Sequence, residues 1–197
     1  MRDRLTPLAN KYGCDKGSIK HNYTKIYDRY FRSMRNEKFE MLEIGFGKGA
    51  SIKMWADYFS AAIIYCADIS KNLPQNKGRL KFFTADQSSE KQMLEAIGDR
   101  QFKIIIDDGS HVAEDQQRTF GFLFPHLVDG GWYIIEDLKC KRAHKTERTA
   151  GILKKCNKPG SFYSEVLAED RLIYINNHIN KVKVYNGIAF IKKRSSE

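Results

Sequence analysis

Phe39-Glu40-Met41-Leu42-Glu43-Ile44-Gly45-Phe46-Gly47-Lys48-Gly49 is the stretch on which the fold turns. Phe39 to Ile44 is a short apolar run of strand type, and the glycines at alternate positions after it turn the chain sharply. A helical pattern follows from about Ser51 to Phe59, so the segment reads strand, glycine turn, helix. Downstream the unit repeats in kind. Ala62–Ala67 is a second apolar strand ending at Asp68, and Leu80–Thr84 a third ending at Asp86-Gln87. Lys103–Ile106 runs into Asp107-Asp108-Gly109-Ser110-His111. Gly130-Gly131 turns the chain into Trp132–Ile135, which ends at Glu136-Asp137.

Helical stretches are expected between the second and third strands, after Ser88, and from near Glu114 to about Leu127. Alternating strands and helices imply a parallel sheet covered on both faces. Tyr163–Glu169 reads as one more helix, and Leu172–Asn176 with Ile188–Lys192 as a terminal antiparallel strand pair. Upstream, Leu5–Tyr12 and Tyr23–Met34 carry helical periodicity, with Tyr23, Ile26, Tyr27, Tyr30 and Phe31 on one face as packing residues, Tyr23 or Tyr27 lining a cofactor cleft being the lesser reading. Gly13 to Ser18 is a loop between them. The expected architecture is α/β: a doubly wound, mostly parallel, seven-stranded Rossmann-like sheet with a short N-terminal helical lead and a C-terminal antiparallel pair. Residues 1–36 are the lead and 37–197 the core of a single domain.

A chain of 197 residues with 42% hydrophobic side chains can bury one α/β core, and no apolar run approaches membrane-spanning length. The N-terminus lacks the apolar segment of a secretory signal, so a cytoplasmic protein is expected. Cys14, Cys66, Cys140 and Cys156 have no paired spacing and read as reduced thiols. The net charge of +10 attracts anions without choosing among nucleic acid, phosphorylated metabolites and acidic surfaces. Its densest stretches, Lys139–Lys158 and Lys192-Lys193-Arg194, read as a solvated loop and tail. His126, His144 and His178 lack carboxylate or cysteine company and receive no role, and His21 reads as structural.

In an open α/β sheet, ligands bind outside the carboxyl ends of the strands. The glycine turn after Glu43 lets the backbone approach a ligand closely, although its spacing is not the dinucleotide G-x-G-x-x-G pattern. Asp68, at the end of the second strand, is placed to accept hydrogen bonds from a ribose diol. Asp107, Asp108, Glu136, Asp137 and His111 bring four carboxylates and an imidazole to one crevice, a donor set suited to a hard divalent cation. Taken singly, each strand end also reads as caps and turn formers.

These strings resemble the class I S-adenosylmethionine-dependent methyltransferases. Leu42 to Ser51, Ala85 to Ser88, Ile105 to His111 and Gly130 to Leu138 are similar to the metal-dependent macrolide-sugar O-methyltransferases of mycinamicin type, and in part to cephalosporin hydroxylase-like proteins. Asp15-Lys16-Gly17-Ser18 with His21, Tyr23 and Tyr27 is similar to a segment that precedes the core in many of them. The resemblance covers roughly residues 8 to 140. It implies Glu43, Gly45, Gly47, Gly49 and Ser51 at the cofactor turn, Asp68 with Ile69 at the ribose, and Asp86 and Gln87 near the adenine. It implies Asp108, Glu136 and Asp137 as Mg²⁺ ligands and His111 as general base, with Asp108 shared between metal and catalysis. Two readings stand for Asp107: contact with the cofactor, or orientation of the loop.

The function so implied is Mg²⁺-dependent methyl transfer from S-adenosylmethionine to a hydroxyl of a small acceptor, a sugar or sugar derivative. The basic segment after Asp137 departs from the aromatic residues common in relatives, which points to an anionic acceptor, phosphorylated or nucleotide-linked. No membrane partner is expected, and a nucleic-acid partner is disfavoured because no RNA-binding module accompanies the core. The family carries a large additional N-terminal domain, and this sequence reads as the catalytic module with a short helical lead, so oligomeric state is not expected to transfer. The alternatives are an RNA or N-directed methyltransferase and a non-catalytic S-adenosylmethionine-binding protein.

Overall fold

The computed structural model describes residues 3–140, 146–156 and 160–195. Its strands are β1 (Glu40–Ile44), β2 (Ile63–Asp68), β3 (Leu80–Thr84), β4 (Phe102–Asp107), β5 (Leu127–Ile135), β6 (Ile179–Val184) and β7 (Ala189–Lys193). Its helices are α1 (Leu5–Lys11), α2 (Thr24–Phe31), α3 (Ala50–Tyr58), α4 (Glu90–Ile97), α5 (Ala113–Leu123), α6 (Thr149–Lys155) and α7 (Glu169–His178). The strands form one sheet in the order β3-β2-β1-β4-β5-β7-β6, and only β7 runs against its neighbours.

Alternate strand residues face opposite ways, so the sheet carries two cores. Met41, Ile64, Ile104, Ile106 and Ile134 meet Tyr27, Phe31, Trp55 and Phe59 on one side. Leu42, Ile105, Tyr133 and Ile135 meet Met93, Phe120 and Leu123 on the other. From β1 the chain builds outward to β2 and β3, then returns to add β4 and β5 on the opposite flank. The helices that follow β1 and β4 therefore lie on opposite faces of the sheet, with Trp55 of α3 in one core and Phe120 of α5 in the other, and this switch point is where open α/β sheets bind ligands.

Several local expectations yield to tertiary structure. Residues 69–79 form no helix between β2 and β3, because Asn72, Pro74, Asn76 and Gly78 interrupt any helical run. Leu172–Asn176 is not a strand but lies inside α7, which starts where a Tyr163–Glu169 helix was expected to end. Its first turn carries Glu169 and Asp170, charges that favour a helix N-terminus, and the Asn176 amide nitrogen donates to the Leu172 carbonyl at 2.9 Å. The partner of β7 is instead β6, in the stretch read as a polar connection. As the outer strand it exposes Asn180, Lys181 and Lys183, the polar dressing of a sheet edge. Gly130 and Gly131 sit within β5, where the pairing with β4 shifts register, rather than before it.

The basic segment also differs from a plain solvated loop. α6 occupies part of it and buries Ile152 and Leu153, while Lys141, Arg142, His144, Lys145 and Lys158 lie outside the described residues. Lys193 is not a tail charge. It is buried, and its ammonium group donates to the Leu127 carbonyl at 2.7 Å. Cys14, Cys66, Cys140 and Cys156 are free thiols. Among the described residues, no helix is long and apolar enough to cross a membrane.

Candidate functional site

β1 delivers Glu43 and then the glycine turn to the mouth of the crevice. The Gly45 amide donates to the Ala67 carbonyl at 2.8 Å, and the Phe46 amide to Asp68 Oδ2 at 2.7 Å, which folds the turn onto the end of β2. Gly45 has φ +99°, and a Cβ there would collide with the Asp108 carbonyl oxygen. Only glycine lets the ends of β1 and β4 approach so closely. Glu43 is fully buried, and neither carboxylate oxygen has a hydrogen-bond partner. Burial pushes its pKa up to about 7, against the opposing pull of the Lys16 ammonium group at 3.5 Å.

The neighbouring strands deliver the acids. Asp107 is buried at the end of β4, where Gln87 Nε2 donates to its Oδ1 at 2.6 Å. Burial raises its carboxyl to about 7, and the Gln87 hydrogen bond opposes that rise. Beyond β4 and β5 the chain adopts unusual backbone angles: His111 has φ 59° and Asp137 has φ 52°. Left-handed conformations are costly for residues with a Cβ and gather where surrounding structure holds a functional geometry. Here they turn both side chains toward Asp108. Ligand atoms of Asp108, His111 and Asp137 all lie within 4.8 Å of one another, and His111 Nε2 is 3.6 Å from Asp137 Oδ2. Of the expected ligands this group holds Asp108 and Asp137, with His111, the expected base, in place of Glu136; two carboxylates and an imidazole at this spacing fit a divalent cation of Mg²⁺ or Mn²⁺ character.

The N-terminal lead completes the acidic part of the site, through the family-like segment of Lys16, Tyr23 and Tyr27, whose contacts with the acids the sequence did not indicate. Lys16, on the loop between α1 and α2, is 1% exposed. Its ammonium group donates to Asp108 Oδ2 and, at 3.1 Å, to Glu136 Oε2. Burial alone would lower its pKa, but Asp108, Glu136 and Glu43 outweigh that and hold it well above the usual lysine value. Tyr27 donates to the other oxygen of Glu136 at 2.5 Å, and Tyr23 to Asp137 Oδ1 at 3.2 Å. Read as packing residues, these tyrosines do pack, yet each also spends its hydroxyl on a site carboxylate. The only signal was tyrosine where phenylalanine would have packed as well. His21 stacks on Tyr23 with ring centroids 5.1 Å apart and stays out of the crevice wall.

The crevice encloses about 650 Å³, a volume suited to a nucleotide-sized ligand. Of the residues expected at the cofactor, Gly45, Gly47, Ser51, Asp68, Ile69, Asp86 and Gln87 line it. Asp108, His111 and Asp137 line it as well. Glu43, Gly49, Asp107 and Glu136 stand behind the wall: Gly49 caps α3 with φ +73°, and Glu136 is 2% exposed. Several lining side chains already have partners. Asp68 Oδ1 accepts from the Ser70 amide at 2.8 Å, Asp86 Oδ1 from the Ser88 amide at 2.8 Å, and Gln87 Oε1 from the Ser110 amide at 2.8 Å. Gln87 thus braces the Asp107 to Ser110 loop from across the crevice.

No family model matches the chain. It is 33% identical to demethylmacrocin O-methyltransferase of Streptomyces fradiae over 96% of its own length and 53% of that protein's. It is 30% identical to mycinamicin VI 2''-O-methyltransferase of Micromonospora griseorubida, over 96% of the chain and 52% of the relative. The chain therefore spans about half the length of the curated relatives it matches. Among solved structures it superposes with a TM-score of 0.81 on the MycE methyltransferase of the mycinamycin biosynthetic pathway, solved in complex with Mg and SAH. That match has 28% identity and covers 98% of this chain and 55% of the other.

Proposed function

The chain is a homologue of the macrolide- and polyketide-sugar O-methyltransferases with the methyltransferase Rossmann-like fold, and from that premise we propose that it methylates a hydroxyl of a small sugar-bearing acceptor. The cofactor on this reading is S-adenosylmethionine, with Mg²⁺ as the metal. The observation that carries it is the convergence of Asp108, His111 and Asp137 in the same crevice that the Gly45 turn lines.

When bound, S-adenosylmethionine supplies an activated methyl group, and the cation supplies a Lewis acid that makes the acceptor hydroxyl more acidic. The chain's own residues do the rest. Gly45 and Gly47 would admit the cofactor against bare backbone, Asp68 and Ile69 would hold its ribose, and Asp86 and Gln87 its adenine. Ser51 closes the turn, and Glu43 and Asp107 support it from behind with Gly49. Asp108 and Asp137 would hold the cation, with Glu136 as a third carboxylate from behind the wall. Glu136 already accepts from Tyr27 and Lys16, and a carboxylate's roughly four acceptor sites leave it capacity for a metal. His111 accepts the hydroxyl proton at Nε2, which lies 3.6 Å from Asp137 Oδ2. Residues 37–197 act on this reading as the catalytic core, behind a lead that braces the acids.

The acceptor is proposed to be anionic, because Lys20 and Lys48 line the crevice of a chain carrying +10. Methyl transfer from labelled S-adenosylmethionine, assayed over glycosylated and phosphorylated sugar acceptors, tests the reading. EDTA is expected to abolish transfer and Mg²⁺ to restore it; activity that survives both EDTA and His111→Ala would sink the mechanism. Equal turnover of neutral and phosphorylated acceptors would remove the anionic preference alone.

A further inference from the structure

Lysine is almost never fully buried without partners, and Lys16 is buried among carboxylates from three adjacent strands. Glu43 belongs to β1, Asp108 follows β4 and Glu136 follows β5, and these strands are neighbours in the sheet. One ammonium group thus spans the whole acidic edge. It arrives on a loop with its own internal order. The Cys14 amide donates to Ala9 at 2.9 Å, Gly17 to Cys14 at 3.0 Å, Asn22 to Gly17 at 2.8 Å, and Thr24 to the carbonyl of Lys16 itself at 3.1 Å. A loop fixed at both ends holds its side chain in place rather than letting it follow the acids.

The charge balance gives this placement a consequence. Glu43, Asp108, Glu136 and Asp137 crowd four carboxyl groups around the crevice, and Lys16 is the cation among them. Asp108 is shared, contacting Lys16 while also belonging to the group with His111 and Asp137. A positive charge in contact with one ligand carboxylate opposes a divalent cation at the same carboxylate, because both draw on its negative potential.

We infer that Lys16 is a positioning residue that holds Asp108 and Glu136 together by its own charge, and that it thereby weakens the grip of this acidic edge on a divalent cation. The inference rests on the proposed cation site and adds to it a residue that sets its affinity. A strand edge held by lysine stays assembled without metal, and takes a metal less tightly than its carboxylates alone would dictate.

The test is Mn²⁺ binding to the full chain, read by calorimetry and by electron paramagnetic resonance, with Asp137→Ala as the control that places the ion at this site. Lys16→Met removes the charge at similar length, and Lys16→Gln removes it while keeping two donors. Both variants are expected to bind Mn²⁺ at least roughly tenfold more tightly than the wild type. Both are expected to melt at a lower temperature in EDTA and to recover in Mn²⁺, whereas Lys16→Arg behaves as wild type. A purely structural lysine predicts equal melting losses with and without Mn²⁺, and no gain in affinity. Affinity unchanged or weakened in both variants overturns the inference, as does failure of both to fold even with Mn²⁺. If the wild type binds no Mn²⁺, the cation site itself fails and this inference with it.

Discussion

The two parts of the crevice wall are built in different ways. At the glycine turn, backbone makes the shape: glycines fold the turn onto β2, and the chain approaches Asp108 because Gly45 has no side chain. At the acidic cluster, side chains from distant segments make it. Lys16, Tyr23 and Tyr27 reach from the lead to Glu136, Asp108 and Asp137, across sequence separations of 92 to 120 residues. A turn of the first kind needs only local sequence and a strand to follow. An acidic cluster of the second kind also needs a counter-charge, and nothing in its own segment supplies one.

The contrast is open to attack in four ways. The largest effect is expected from His111→Ala, which removes the proposed base: methyl transfer should fall by roughly 100- to 10,000-fold with S-adenosylmethionine affinity little changed. Steady-state rates beside calorimetric cofactor binding check this, and loss of cofactor binding would merge the two parts into one. Gly45→Ala should do the opposite. Its Cβ meets the Asp108 carbonyl, so stability should drop by about 3 kcal/mol and cofactor binding should suffer, with no rescue by Mg²⁺. Urea unfolding with and without ligands reads both.

Glu43 joins the two parts, and its pH behaviour sharpens the comparison. With its pKa raised by burial to about 7, the folded chain keeps the proton that the unfolded chain releases near its ordinary value of 4.5. Stability from this group is therefore full below about pH 4.5 and lost as pH rises toward 7, by up to roughly 3 kcal/mol. Glu43→Gln should flatten the pH profile of stability across that window, and an unchanged profile would show the carboxylate to be well solvated or fully neutralised by Lys16. Tyr27→Phe has the smallest expected effect. It keeps the aromatic packing against Trp55 and Phe190 and removes one donor from buried Glu136, at a cost of about 2 kcal/mol by chemical denaturation. A negligible change would mean that Lys16 alone satisfies Glu136.

Much of the sheet was legible because its strands are short apolar runs between turn residues. β3 spans the expected residues, and β1, β2 and β4 differ by a residue or so at their ends. The C-terminal third was harder. Leu172-Ile173-Tyr174-Ile175 has strand-forming side chains but buries only Ile175 fully, and as a helix it lets Asn176 tie down Phe162. The hairpin partner of β7 carries Asn180, Lys181 and Lys183 among its six residues, as an edge strand can, so its composition hid it. In the site, residues that shape backbone or end strands stood out locally. Lys16 did not, because a lysine in a glycine-containing loop looks solvated until something buries it.

By itself, the sequence determined the alternating strands and helices, the glycine turn and the acids that end the strands, since these follow from periodicity and backbone freedom within a few residues. Tertiary structure alone decided that β6 pairs with β7, that His111 and Asp137 take left-handed backbones toward Asp108, and that Lys16 lies buried among three carboxylates. The physical reason is electrostatic and long-range. The partner that makes a buried charge tolerable can come from anywhere in the chain, and only folding brings it within reach.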